Sequence, residues 1–329
     1  MNCYTNIPEA KKQSVRKQAQ SEGLPLQIAP VQPITWHCVL KRALGMGLRL
    51  RFRKAAAFTL RLMVYPQTSL RWYGFLADFS RKHRLGLPHD DLIRKAIPNF
   101  FLHKASLRER AHWLQNHFAL AGQYMAQEDL QQLWTGKRLR IAAIEGKREL
   151  YDLSLCLSDH AGARHEGGFT ISLHRRRDQA FFHMLSFVFT TDENGKVTVA
   201  IGGFQGAKSE DAKRSVIDAT RDLFGVRPKD ALLLVAEGIA EAGGAARVLA
   251  VANDSHVINF RHNARREKMM SDLDRYWTER GGEPAGRFGY VLPFRSAGMP
   301  LKSARRDLCK AAFLQAGRQL MLGGEDAPS

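Results

Sequence analysis

The amino-acid sequence predicts an α+β protein: a helical N-terminal part followed by a mixed, mostly antiparallel sheet flanked by helices. Three observations predict it. Over residues 36–138 the apolar positions fall at helical spacing, punctuated by helix caps. At about Leu139 the texture changes to strand-like runs, with a turn signal in Asp192-Glu193-Asn194-Gly195. After Gly206 it changes back to helical patterns that alternate with two further short strands. The organisation expected is a flexible lead-in over 1–35, a basic helical region over 36–138 and an α/β domain over 139–329.

The lead-in is polar and then broken by Pro25, Pro30 and Pro33. Its opening, MNCYTNIPEAKKQSVRKQ, lacks the apolar run and cleavage site of an ordinary signal peptide. From Lys41 to Val64, Leu44, Leu48, Phe52, Ala55 and Thr59 recur near helical spacing among basic residues. A basic amphipathic helix, or two short ones, fits. The alternation from Leu48 to Arg53 also fits a short strand. Thr68 or Ser69 is expected to cap a helix towards Phe79, and Asp90 a short one before Pro98. Ser106 and Glu109 form a capping box that opens a helix through Trp113, Phe118 and Tyr124, whose aromatics read as core.

Strands are expected over Leu139–Ile144, Leu150–Leu157, Gly168–His174, Phe181–Thr191 and Lys196–Ile201. Phe181 to Phe189 is apolar on both alternating faces and so predicts a central strand. Ser209 is expected to cap a helix to about Phe224, and Gly225–Pro228 to break it. A second helix should open at Lys229 or Asp230 and stop at Gly243-Gly244. Arg247–Ala252 reads as a buried strand, about Asn263 to Arg280 as a helix, Gly289–Leu292 as a strand and Lys302 to about Met321 as a helix.

Composition narrows the classes of function. The chain has 50 Lys+Arg against 32 Asp+Glu, a net charge of +18, which draws it to polyanions. The charge is uneven: residues 41–110 carry 16 basic and 4 acidic side chains, whereas residues 151–262 carry 13 and 14. An anionic surface is therefore expected to meet the N-terminal half. Cys3, Cys38, Cys156 and Cys309 are scattered, which argues against a zinc ribbon or disulfide scaffold and for reduced, buried thiols. No run approaches the ~18 apolar residues of a spanning helix. A cytoplasmic protein, or one peripheral to the inner membrane, is expected. His103, His112 and His117 show no ligand pair facing one way, and no metal is expected.

The strongest site marker is Ile201-Gly202-Gly203-Phe204-Gln205-Gly206. Glycines at a strand end before a helix let backbone N–H groups approach an anion, so Gly202, Gly203, Gln205 and Gly206 are candidates to hold a phosphate. The same glycines equally fit a bulge or tight strand exit. Arg227 and Lys229, just before a helix, are candidates for phosphate or carboxylate, or are solvated bases. Asn253, Asp254 and His256 follow a buried strand, where ligands collect in open sheets. His256 could serve as a general base oriented by Asn253 or Asp254, or the segment is an ordinary loop. His183 reads as a core residue. The chain has no G-x-S-x-G elbow, P-loop or H-E-x-x-H.

In running order the second half resembles the GNAT-type N-acyltransferases, in architecture only. That resemblance implies a phosphate-bearing acyl donor. The usual acyl-CoA signature would start at Gln205 and require glycine where Lys208 stands, so it is broken. IGGFQG, GVRPKDALL, VLAVANDSHV, REKMMSDLDRYWTERGG and RFGYVLP together resemble the successive motifs of the bacterial VirK/YbjX family, over roughly Leu60 to Met321. The family more often has Ser before the Asn of VANDSHV. The resemblance implies a domain of unknown function linked to virulence, the cell envelope and resistance to antimicrobial peptides, and it assigns no reaction. Three functional readings follow. One is an acyltransferase-like enzyme acting on an envelope component. The second is a non-enzymatic protein that binds anionic membrane through its basic half. Nucleic-acid binding ranks below both, as no recognised motif accompanies the charge.

Overall fold

The computed structural model describes residues 34–49, 52–207, 211–260, 272–294 and 304–321. It is an α+β fold with a helical N-terminal part and one eight-stranded mixed sheet. The basic segment forms two helices, α1 (Trp36–Arg49) and α2 (Phe52–Val64), not one helix or a strand. The buried face differs from the one the spacing suggests. Val39, Ala43, Met46 and Phe58 face inward, while Leu44 and Phe52 are exposed. Helix α3 (Pro66–Lys82) begins before Thr68, because Pro66 is preset for the first helical turn. His89, not Asp90, caps the short α4 (Asp90–Ile93), its ring accepting the Asp91 N–H. Helix α5 (Leu107–Tyr124) opens on the expected box of Ser106 and Glu109, and α6 (Gln127–Trp134) follows.

Strands β1 (Leu139–Glu145), β2 (Leu150–Leu157), β3 (Phe169–Arg175), β4 (Phe181–Thr191) and β5 (Val197–Gly206) form an antiparallel meander. Gly195 supplies the positive φ (73°) in the turn before β5. Helices α7 (Ala212–Asp222) and α8 (Pro228–Ala242) then carry the chain to β6 (Arg247–Val251), which lies parallel to β5. Helix α9 (Leu273–Thr278), β7 (Glu283–Ala285), β8 (Gly289–Pro293) and α10 (Ala304–Met321) complete the fold. The sheet order is β1-β2-β3-β4-β5-β6-β8-β7. Strand β7 has three residues and contains Pro284, too little pattern to be read in sequence. The Ser209 cap, the start of the helix expected at Asn263 and the lead-in before Ile34 lie outside the described residues.

Helix α8 is the centre of the molecule. Its residues from Ala231 to Ala240 are all buried, and all but Glu237 are non-polar, as suits an internal helix. It packs on β4, β5 and β6 on one side and on α10 on the other. Strand β4 is buried on both alternating faces, as its sequence predicts. Phe187 and Phe189 meet the ring of His117 on α5. A single apolar cluster runs from Trp72 and Phe118 in the helical part through Phe169 and Phe187 to Trp277 and Phe313. Cys156 and Cys309 are buried as expected, but Cys38 is exposed, because it lies on the outer face of α1.

Candidate functional site

Strand β5 continues through IGGFQG, so the glycines lie within the strand and not in a turn after it. Register explains them. Ser186 pairs with Gly203 and Phe187 with Ile201, which leaves Gly202 as the extra residue of a bulge. A Cβ on Gly202 would lie 1.8 Å from the Glu166 carbonyl oxygen. A Cβ on Gly203 would lie 2.8 Å from Glu166 Oε2 and 3.0 Å from His256 Nε2. Both glycines therefore admit the chain's own segment before β3, and that segment covers the backbone a phosphate would need to reach. The segment is itself close-packed through glycine, since a Cβ on Gly167 would lie 2.6 Å from the Phe187 backbone.

The bulge coincides with a fork in the sheet. The β5–β6 ladder is confined to Ala200↔Leu249 and Ile201↔Ala250. Beyond it, Phe204 packs on Tyr276 and Trp277 of α9, and Trp277 donates to the Val251 carbonyl (3.0 Å), closing the end of β6. At the fork three polar side chains converge. Gln205 Nε2 donates to Glu166 Oε1 (2.9 Å), and the second carboxylate oxygen faces the same point over Gly203 as His256 Nε2. His256 is buried, and its Nδ1 accepts the Ile258 N–H at 3.2 Å. In the neutral ring the proton then sits on Nε2. His256 is thus set to donate at the fork, and Glu166 is the group set to accept.

The helical part helps to build this site. The Phe101 N–H donates to the His165 carbonyl (2.7 Å), and Leu102 forms a bridge with His256. Phe101 has φ 66°, rare for a bulky side chain, which costs on the order of 1–3 kcal/mol and marks a position held by its surroundings. Glu166 and Phe101 were missed in the sequence. The signal that could have found Glu166 is the second glycine pair, in His165-Glu166-Gly167-Gly168.

The remaining candidates divide. Lys229, in the first turn of α8, lies 3.4 Å from the centroid of the Tyr276 ring and 4.9 Å from that of Phe204. Burial, reinforced by the Arg280 charge, lowers its pKa to about 8. Arg280 pairs with Asp230, which also accepts from Tyr276 Oη at 2.9 Å. A Cβ on Gly206 would lie 3.1 Å from His183 Nε2, and burial followed by the Lys229 charge lowers the His183 pKa to about 4. Gly206, His183 and Lys229 thus adjoin one another at the end of β5. Arg227 stands exposed at the N-cap of α8. Asn253 is engaged elsewhere: its side chain donates to Asp272 (2.8 Å) and accepts the Leu273 N–H (3.0 Å), capping α9. Asp254 pairs with Lys104 on the surface. Neither of these contacts involves the His256 ring, whose Nδ1 accepts the Ile258 N–H.

Residues 49–308, which include every residue of this site, match the family described as "Protein of unknown function (DUF535)". The chain belongs to this family. Among known proteins it is similar to "Uncharacterized protein YbjX" of Escherichia coli (strain K12), with 26% identity over 243 residues, 73% of this chain and 72% of the relative. That likeness bears out the VirK/YbjX resemblance carried by the motifs. No solved structure matches the chain.

Proposed function

We propose that this DUF535 protein is an acyltransferase-like enzyme whose reaction takes place at the β5–β6 fork, on an acceptor from the cell envelope. The observation that carries the reading is the convergence of Glu166, Gln205 and His256 where β5 bulges and parts from β6. Glu166 accepts the proton of an acceptor N–H or O–H as its heteroatom attacks the donor's acyl carbon. His256, with its proton on Nε2, donates to the carboxylate or to the oxyanion that forms. The leaving group departs as the carbonyl re-forms. The donor's phosphate would lie at Gly206, Lys229 and Arg227, by the N-terminal end of α8, because Gly202 and Gly203 are covered. The broken signature at Lys208 favours a carrier other than free coenzyme A.

The test measures binding of acyl-CoA, acyl carrier protein and charged tRNA, and transfer by wild type, Glu166→Gln and His256→Ala. The reading expects one donor to bind, and Glu166→Gln to retain binding while transfer falls about 100-fold or more. It is overturned if no donor binds and both folded variants complement a deletion strain as wild type does.

A second reading has its own observation. Helix α2 presents Phe52, Leu60, Met63 and Val64 to solvent, at 86%, 57%, 67% and 55% exposure. An apolar helix face in a region rich in lysine and arginine suits the surface of an anionic membrane. Envelope stress, virulence and antimicrobial-peptide resistance fit a protein peripheral to the inner membrane. No helix among the described residues is long and apolar enough to cross one. Nucleic acid remains the lesser alternative for the same charge.

A further inference from the structure

We propose that His89, Asp91 and His160 form a site for a divalent transition metal, with zinc the best match. One ring nitrogen from each imidazole and one carboxylate oxygen of Asp91 lie within 4.8 Å of one another. His160 Nε2 is 2.6 Å from Asp91 Oδ2, and His89 Nδ1 is 3.5 Å from the same oxygen. Two imidazoles and a carboxylate are a zinc donor set, and tetrahedral zinc holds its ligands at about 2.0–2.2 Å. Tetrahedral ligands at that radius stand about 3.3–3.6 Å apart, so seating one ion opens the His160 Nε2–Asp91 Oδ2 contact and draws the wider pair together. This inference concerns residues distinct from the β5–β6 fork and does not rest on the reaction proposed there.

The donors are held in place by groups that do not themselves ligate. Asp91 is buried, and Arg94 binds its other oxygen, Oδ1, leaving Oδ2 directed at the two rings. His160 sits in a turn closed by Ala163 N–H to the Ser158 carbonyl (2.8 Å). That turn is anchored by the buried pair of Asp159 and Lys95 (2.5 Å). The His89 backbone is fixed by its amide N–H, which donates to the Trp134 carbonyl (2.9 Å). Such orientation of ligands by an outer layer of hydrogen bonds is usual at metal centres. Room for the rings comes from Gly136, at φ 81°, where a Cβ would lie 2.6 Å from His89 Cδ2 and 2.9 Å from His160 Cε1. The side chains of His89 and His160 are 33% and 28% exposed, so water can supply a fourth ligand. Binding through His89 Nδ1 displaces the long hydrogen bond it accepts from Asp91 N–H (3.2 Å), which moderates the affinity.

The ion would tie the start of α4 to the turn after β2, joining the helical part to the sheet. The experiment uses the full chain, stripped of metal and titrated with zinc chloride alone, with bound metal counted by mass spectrometry and affinity measured by calorimetry. His160→Ala and His89→Asn are compared with wild type, the latter keeping a side-chain acceptor for the α4 cap; circular dichroism checks folding. The proposal expects one zinc per chain, an affinity lowered about 10-fold or more in each variant, and a thermal midpoint that zinc raises only in wild type. Absence of stoichiometric zinc in wild type overturns it, as does binding unchanged in both variants, which would place the ion on other residues. Loss of fold in one variant leaves the other, together with the wild-type count, to decide.

Discussion

At Gly202 the Glu166 carbonyl oxygen stands 1.8 Å from where a Cβ would be, so the residue is fixed by the chain that crosses it. Gly202→Ala is predicted to destabilise the fold by about 1–3 kcal/mol, the usual range for overpacking a tight site. Chemical denaturation checks this. Lys95 tests a different force. Its ammonium is buried, 2.5 Å from Asp159 and 3.0 Å from the Gly167 carbonyl. Asp159→Leu alone leaves that charge without its counter-ion and is predicted to cost about 3–5 kcal/mol. Adding Lys95→Met should recover most of the loss, since well-packed apolar groups often replace a buried pair at little cost. A double variant no more stable than the single one would refute that account. Of these residues the sequence displayed the glycine pair but not its cause. The crossing segment lies far away in the chain and touches β5 only after folding.

Helices α8 and α10 meet through glycines on both sides. A Cβ on Gly238 would lie 2.1 Å from the Leu314 carbonyl oxygen, and one on Gly317 2.1 Å from that of Val235. Gly317→Ala is therefore predicted to push the helices apart and lower stability by about 1–3 kcal/mol, despite the better helix propensity of alanine. Two histidines, one on β4 and one on the α5 helix packed against it, carry the pH response. His183 is half-buried with a pKa near 4, and His117 on α5 is driven well below its usual range by burial. Both are neutral in the folded state, whereas the unfolded chain takes up protons below about pH 6.5. Stability is then fully present above pH 6.5 and is lost as pH falls towards 4. His183→Gln should flatten that loss by on the order of 1–3 kcal/mol, read from urea midpoints at neutral and acid pH. The apolar run of β4 on both faces made it legible as a central strand, but not which helix packs against it.

Over the whole molecule the basic excess and the polar groups of the fork lie in different parts of the chain. The basic excess belongs to residues 41–110, and the fork is built around β5, β6 and the Glu166 segment. If the basic half seats the protein on anionic lipid, co-sedimentation with phosphatidylglycerol vesicles should occur at low salt and fall steeply as salt rises past the ~10 Å screening length of 0.1 M. Each contacting Lys or Arg contributes about 1 kcal/mol. Replacing Leu60 and Met63 with serine should weaken binding without altering the fold, as both are exposed. Equal binding to neutral vesicles would count against the electrostatic account.

The sequence by itself determined the class of fold, seven of the eight strands along the chain, the capping box at Ser106 and the central place of β4. These rest on local propensity and periodicity, which nearby residues specify. It also determined where the positive charge lies and, through a run of motifs in order, the family. Only the tertiary structure decided that IGGFQG is a bulged strand covered by Glu166, and that Asn253 caps a helix while the Ile258 N–H meets His256 Nδ1. It likewise brought His160 to His89 and Asp91. Each of these depends on contacts between segments far apart in the chain, which no local pattern encodes.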